Sequence, residues 1–471
     1  MTEDEFWIQP ENSALGRWQK AISDVAKVDT FCALPWIHFA TRPNGDMRLC
    51  CSANASGAGN DHTVGLVKNE KGQPANFGRE TPMSAWNNDY MRSVRTTMLE
   101  GKIPKSCTKC FIEESNGVSS KRVWETFSWM QEGVDIPELI KQTQDDGTIP
   151  ENLVYLDLRL GHTCNLKCVM CSPHDSSKWV QEQKIMFPQY KSPTLTSQMA
   201  WDQKEFNNKW HENPQFWEEM YNQIPNLKQV YFAGGEPLMI KEHKIFLEEI
   251  IRRGYADKIL IRYNTNGLLL DDDIIDLWKR FKKVKVGFSL DGTDARNHYI
   301  RYPSDWDKVE TNLRLLDNTP NNIEGSIATA IQIFNIKHLP DFIKWKVNSK
   351  FKKINMSTAL GGTLAGGGLV NMHLLYIPTF LSIQILSVQD KKEVRELFSE
   401  LKEWLWNNYT QDDDFWKHNP YGWKRWESVL THMDAKDHSN LLPSFKEYVE
   451  KLDTYRKLNA SEVFPELKHL F

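Results

Sequence analysis

The sequence predicts an α/β protein: a partial (β/α)6 barrel of the TIM type, with a small cysteine-rich domain before it and a helical extension after it. Three observations carry this. From Leu153 onward, short apolar runs alternate with helical stretches, the pattern of parallel βα units. All eight cysteines lie before position 172, and they fall in two groups. From Lys391 the pattern is helical and tryptophan-rich. The expected divisions are residues 1–125, 150–388 and 389–471, with a polar linker ending in QDDGTIPEN ahead of the barrel.

The barrel runs are Leu153–Leu160, Val230–Ala233, Ile259–Tyr263, Val284–Leu290 and Ile327–Ile333. A sixth strand is expected between Val370 and Ile385, where periodicity does not fix its ends. Helices are expected between them at Glu242–Arg253, Asp271–Phe281, Trp306–Leu316 and Leu339–Asn348. The connection from Pro173 to Pro225 is long for a βα unit, so it reads as an insertion with its own helix near Phe216–Tyr221. Before the barrel, turn signals at Pro43-Asn44-Gly45 and Gly57-Ala58-Gly59 separate short strands, and Met91, Val94, Met98 and Leu99 have helical spacing.

Composition narrows the function. The 471 residues are 40% hydrophobic, enough for a large core, and the formal charge is −4. Near-balanced charge argues against broad binding to nucleic acid or to anionic membrane. The opening MTEDEFWIQPENS has no apolar signal segment, and the apolar stretch Leu374–Leu386 is broken by Pro378 and Gln384. A cytoplasmic protein is expected, and clustered cysteines in such a protein point to metal or redox chemistry before disulfides.

The strand Leu153–Leu160 runs into GHTCNLKCVMC, which sets Cys164, Cys168 and Cys171 in a C-x3-C-x2-C spacing. Three thiolates so spaced can hold three irons of a [4Fe–4S] cube and leave the fourth open. The alternative is zinc completed by His162 or His174. Three later strands each end in a short polar motif: Gly234-Gly235-Glu236-Pro237, Asn264-Thr265-Asn266-Gly267 and Ser289-Leu290-Asp291-Gly292. In a barrel these strand ends share one mouth. Two glycines let backbone approach a ligand closely. For the Asn, Ser and Asp positions, turn formation and helix capping remain the plain reading.

Together these residues resemble the radical S-adenosylmethionine (SAM) superfamily over about Leu153–Leu386. The resemblance implies that the open iron binds SAM. It implies reductive cleavage to a 5′-deoxyadenosyl radical, and hydrogen abstraction from a substrate by that radical. It assigns Gly234, Gly235, Glu236 and Pro237 to the amino group of SAM, and Ser289, Asn264 and Asp291 to a polar shell around SAM. Arg301, in HYIRYP, is expected at the SAM carboxylate, and Gln332 in the same shell. No catalytic acid or base can be named.

In the N-terminal group, Cys32 is followed by Gly45, then Cys50 and Cys51, then Cys107 and Cys110 in C-x2-C. This resembles the SPASM and twitch auxiliary-cluster domains, although those follow the barrel. A hairpin at Asn44-Gly45 brings Cys32 toward Cys50 in this reading. Cys32, Cys50, Cys107 and Cys110 then hold a second cluster, with Cys51 an alternative to Cys50 and a four-cysteine zinc ribbon an alternative to the cluster. Such family members often modify peptides or proteins, so a peptide substrate and a flavodoxin- or ferredoxin-type reductant are implied. The rival functions are a non-catalytic iron–sulfur carrier or sensor, and a zinc-stabilised binding module. The run Gly361–Gly368 lacks the lysine of a phosphate loop and reads as a lid or plain loop. The C-terminal tryptophans read as packing, and Asp412–Asp414 as a solvated turn.

Overall fold

The computed structural model describes residues 11–53, 64–115, 120–187, 209–354, 370–409 and 422–471. The Gly361–Gly368 run, Asp412–Asp414 and the Gly57-Ala58-Gly59 turn lie outside them. One eight-stranded sheet organises the fold, in the order β2-β1-β3-β4-β5-β6-β7-β8.

The six barrel strands are β3 (Tyr155–Arg159), β4 (Gln229–Ala233), β5 (Leu260–Thr265), β6 (Lys283–Ser289), β7 (Ile323–Ile331) and β8 (Asn371–Leu374). Each pairs in parallel with the next. The expected helices are present at Lys241–Arg252, Asp272–Trp278, Trp306–Asp317 and Leu339–Asn348. The sheet stays open between β2 and β8. The insertion holds helices Trp179–Met186 and Pro214–Gln223.

The N-terminal segment adds to this sheet. Its hairpin is β1 (His38–Thr41) with β2 (Met47–Arg48), turning at Gly45, whose φ is +86°. A side chain at Gly45 would also meet the Trp210 ring 2.7 Å away. β1 pairs in parallel with β3, from His38 beside Tyr155 to Ala40 beside Asp157. The cysteine-rich region and the barrel therefore share main-chain hydrogen bonds.

The two faces of the sheet differ sharply. On one, Leu156, Phe232, Ile261, Tyr263, Val284 and Val286 are buried against the helices. There the Phe232 ring meets His243 at 4.7 Å, and Tyr263 meets Trp278 at 4.9 Å. The other face forms the inside of the partial barrel and is strongly polar. One row across it runs Asp157, Tyr231, Arg262, Lys285 and Glu324, each side by side with the next. Side chains alternate along a strand, so this row follows from the sequences YLDLR, QVYFA, LIRYNT and KVKVGFS. None of the described helices is long and apolar enough to cross a membrane.

Candidate active site

The loop after β3 carries Cys164, Cys168 and Cys171, the first two buried and the third half-buried. All eight cysteines are free thiols. The loop is fastened from three directions. Lys167 and Val169 donate their N–H groups to the carbonyls of Tyr302 and Ile300, at 2.7 and 2.8 Å. Trp179 Nε1 donates to Cys168 O at 2.9 Å. From the C-terminal helix Leu442–Arg456, Tyr448 Oη donates to Val169 O at 2.6 Å, and Arg456 Nη2 to Lys167 O at 2.8 Å. Glu182 is fully buried, pairs with Arg456 at 2.6 Å and also pairs with Lys167. The C-terminal extension thus helps to set the cysteine loop, a role that reading it as packing did not anticipate.

Among the described residues, no three His, Cys, Asp or Glu side chains converge tightly enough for a single metal ion. The cysteine loop does bring thiols into mutual range. A hydrogen bond from Cys171, together with the charges of Arg301 and Arg456, draws the Cys168 thiol down to about 7 against its burial. Burial pushes the Cys164 thiol up to about 12, with Cys168 adding to the shift. Metal-bound sulfur is thiolate, so cluster binding must release these protons. His162 Nδ1 lies 2.8 Å from Pro173 O and His174 Nδ1 3.2 Å from Asp175, so the zinc alternative would have to use Nε2, and among the described residues neither ring joins the cysteines in a single-metal arrangement. Three neighbouring thiols with no fourth fit a cube with one open iron.

The Gly234-Gly235-Glu236-Pro237 turn is pressed against this loop. A Cβ on Gly235 would lie 2.2 Å from Thr163 O, and one on Gly234 would lie 3.1 Å from Arg159 Cα. The N–H of Glu236 donates to Thr163 O at 2.8 Å. The glycines thus let two loops dock, which is a structural demand beyond ligand approach. Glu236 is buried and accepts from Asn266 N (2.8 Å), Thr265 Oγ1 (2.9 Å) and Leu238 N (3.2 Å). Burial pushes its carboxyl up to about 7, against those three donors. Asn266 also reaches the cysteine loop, donating through Nδ2 to Asn165 at 2.7 Å. Pro237 begins a short 3-10 turn capped by Glu236.

The remaining rim residues occupy the ends of β5, β6 and β7. Asn264 is exposed in the barrel mouth, beside Gly287, and Ser289 is half-buried at the end of β6. Asp291 accepts from Ala330 N at 2.7 Å, tying β6 to β7. Arg301, expected at a SAM carboxylate, lies 2.8 Å from Asp291; Asp291 is buried and Arg301 half-buried. Burial raises the Asp291 carboxyl, and Arg301 opposes that rise. Gln332 is fully buried, with neither amide atom partnered among the described residues.

The N-terminal cysteines form a second group. Cys32, Cys50, Cys107 and Cys110 line one small cavity, together with Lys121 and Arg122. Cys51 is not among its lining residues. The helix Lys121–Gln131 pins the approach to Cys32, where Arg122 Nη1 donates to the carbonyls of Asp29 and Phe31, each at 2.9 Å. Burial pushes the Cys32 thiol up to about 12 and raises Cys50, Cys107 and Cys110 as well. Four cysteines on one cavity suit a four-cysteine iron–sulfur cluster, whereas the zinc alternative requires them to draw closer together around a single ion. If Cys50 is the ligand, Cys50→Ser should lose this site's metal while Cys51→Ser keeps it. Metal analysis of the two variants after identical reconstitution checks the choice.

Residues 158–345 match the family described as the Radical SAM superfamily. Those residues, under half of the chain, are similar to a radical SAM domain. That domain spans β3 to the helix Leu339–Asn348 and includes both the cysteine loop and the rim motifs. A radical SAM domain implies a [4Fe–4S] cluster and SAM. Similar solved structures include anSMEcpe with bound AdoMet, 20% identical at a TM-score of 0.35, covering 54% of this chain and 62% of that one. Another is Streptococcus suis SuiB bound to S-adenosylmethionine, 14% identical at a TM-score of 0.32, covering 64% of this chain and 57% of that one. A third is TYW1 with a lysine-pyruvate adduct bound, 13% identical at a TM-score of 0.27, covering 54% and 71%. The chain spans about three fifths of the length of the first two. No curated protein matches the chain.

Proposed function

We propose that this protein is a radical SAM enzyme that abstracts hydrogen from a peptide or protein substrate. The observation that carries the reading is the docking of the Gly234–Pro237 turn onto the loop of Cys164, Cys168 and Cys171, which joins a SAM-type motif to a three-thiol site in one rigid mouth. Cys164, Cys168 and Cys171 would hold the cluster, which would supply the one electron needed to cleave SAM reductively for hydrogen abstraction. The protein's own part is to hold and orient. Glu236 bridges the β4 and β5 loops, and Asp291 with Arg301 braces the β6 end. A flavodoxin- or ferredoxin-type protein is the proposed source of the electron.

Cys32, Cys50, Cys107 and Cys110 are proposed to hold an auxiliary cluster, and its resemblance to SPASM and twitch domains supports the peptide substrate. Deuterium transfer tests that substrate class. The reduced enzyme with SAM should pass deuterium from a deuterated proteome digest into 5′-deoxyadenosine, detected as a mass increase. Label arriving only from the small-molecule fraction of the same cells would replace the peptide reading with a metabolite one.

A further inference from the structure

Buried charge is costly unless it is paired, so unpaired charge inside a fold marks a place where something else belongs. The inner face of the sheet holds three such groups. Asp157 is fully buried, and among the described residues neither carboxylate oxygen has a hydrogen-bond partner, although the charges of Arg159 and Arg48 face it. Arg159, on the same strand and face, has its Nε buried and unpartnered. Arg262 is 4% exposed, and its guanidinium rests 4.9 Å from the centre of the Tyr231 ring. Neither guanidinium has an ion pair with any described residue. Lys285, next to Arg262 in the row, is shared with Glu324 at 3.6 Å.

The position of these groups limits what they can serve. Arg262 precedes Asn264 by two residues, and Tyr231, its neighbour in register, precedes Ala233 by two. The charged row therefore lies about 7 Å below the rim motifs, one layer deeper in the barrel. Small residues above it, Ala233, Gly287 and Ala328, leave room toward the rim. The charges do not cancel. Arg48, Arg159, Arg262 and Lys285 outnumber Asp157, Asp175 and Glu324, and a low-dielectric wall focuses the resulting positive field. A guanidinium fork suits an oxyanion through paired hydrogen bonds.

We propose that Arg262, one layer below the SAM-binding rim, and Arg159, a layer higher and level with Ala233, together bind an anionic group of the substrate, a carboxylate or a phosphate, with Asp157 accepting a hydrogen bond from the same ligand. This rests on reading the rim as the SAM site. It identifies the substrate as one that presents an oxyanion beside a donor, such as a peptide through an acidic side chain or its terminus.

The test uses the full chain, reconstituted anaerobically and saturated with SAM, titrated with glutarate in one arm and inorganic phosphate in the other. Saturable binding of at least one anion is expected, and the stronger binder tells carboxylate from phosphate. Arg262→Met should weaken it at least tenfold, and Arg262→Lys should recover part of the loss. Asp157→Asn, which removes the opposing charge at constant shape, should tighten it several-fold, so the proposal stays testable even if Arg262→Met fails to fold. Absence of saturable binding, unchanged affinity in a folded Arg262→Met, affinity in Asp157→Asn that does not rise, or displacement of the anion by SAM would each overturn it. Failure of the wild type to cleave SAM would instead count against the rim assignment, because the anion titration is read independently.

Discussion

Cys168→Ala is expected to abolish formation of 5′-deoxyadenosine and to remove about four irons per chain, with any metal at the N-terminal cysteines kept. The reason is geometric. Cys168 is the middle ligand of the proposed three, buried at 6% exposure and in hydrogen-bonding contact with Cys171. With two thiols left, a cube has no stable three-point seat. The protein should still fold, because Ala fills most of a buried thiol's place and the loop keeps its anchors from Trp179, Tyr448 and Arg456. Iron analysis and product chromatography on the same preparation separate loss of the cluster from loss of the protein. Cleavage that persists in this variant would mean the electron reaches SAM from elsewhere.

Gly235→Ala, far milder chemically, is expected to cost nearly as much activity. The new methyl group would sit 2.2 Å from Thr163 O and 2.8 Å from His162 C, and both are backbone atoms that no rotamer change can move. Relief requires the β4 loop to separate from the cysteine loop. That strains the hydrogen bond from Glu236 N to Thr163 O and shifts Cys164, the next residue along. Overpacking of this kind costs about 1–3 kcal/mol of stability. A displacement near 1 Å at reacting groups lowers rates on the order of 100-fold. The expected result is a cooperative but lowered denaturation midpoint, with 5′-deoxyadenosine formation reduced by about that factor and iron content nearly kept. Wild-type rates in Gly235→Ala would show that the docking of the two loops does not matter to the chemistry.

The barrel was legible because each strand is an apolar run ending in a turn signal, and five of the six runs overlap observed strands closely. β8 was not fixed because it is four residues long and reads NMHL, with no alternation to mark its ends. The placement of β1 was hidden for a different reason. HFAT is a plausible strand, but nothing local says that it hydrogen-bonds to YLDLR more than a hundred residues later. The charged inner face was available in principle. Asp157 and Arg159 alternate with leucines, as Arg262 and Asn264 alternate with apolar residues, yet apolar content drew attention to the opposite face.

At the site, spacing was enough to pick out the three cysteines and the glycine turn as neighbours. It could not reveal that Gly235 is needed for backbone docking, which depends on where the β3 loop passes. Nor could it reveal Tyr448 and Arg456, which reach the cysteine loop from 279 and 289 residues away. Arg301 shows a related limit. Its motif suggested a ligand contact but did not reveal the ion pair it also makes with Asp291, ten residues earlier in the chain.

The central claim is that the loop of Cys164, Cys168 and Cys171 seats a cluster able to split SAM. The most direct measurement is product analysis after anaerobic loading with iron and sulfide, reduction with dithionite and addition of SAM. The account predicts 5′-deoxyadenosine and methionine in equal amounts. An iron-loaded, fully reduced protein that leaves SAM intact would contradict it.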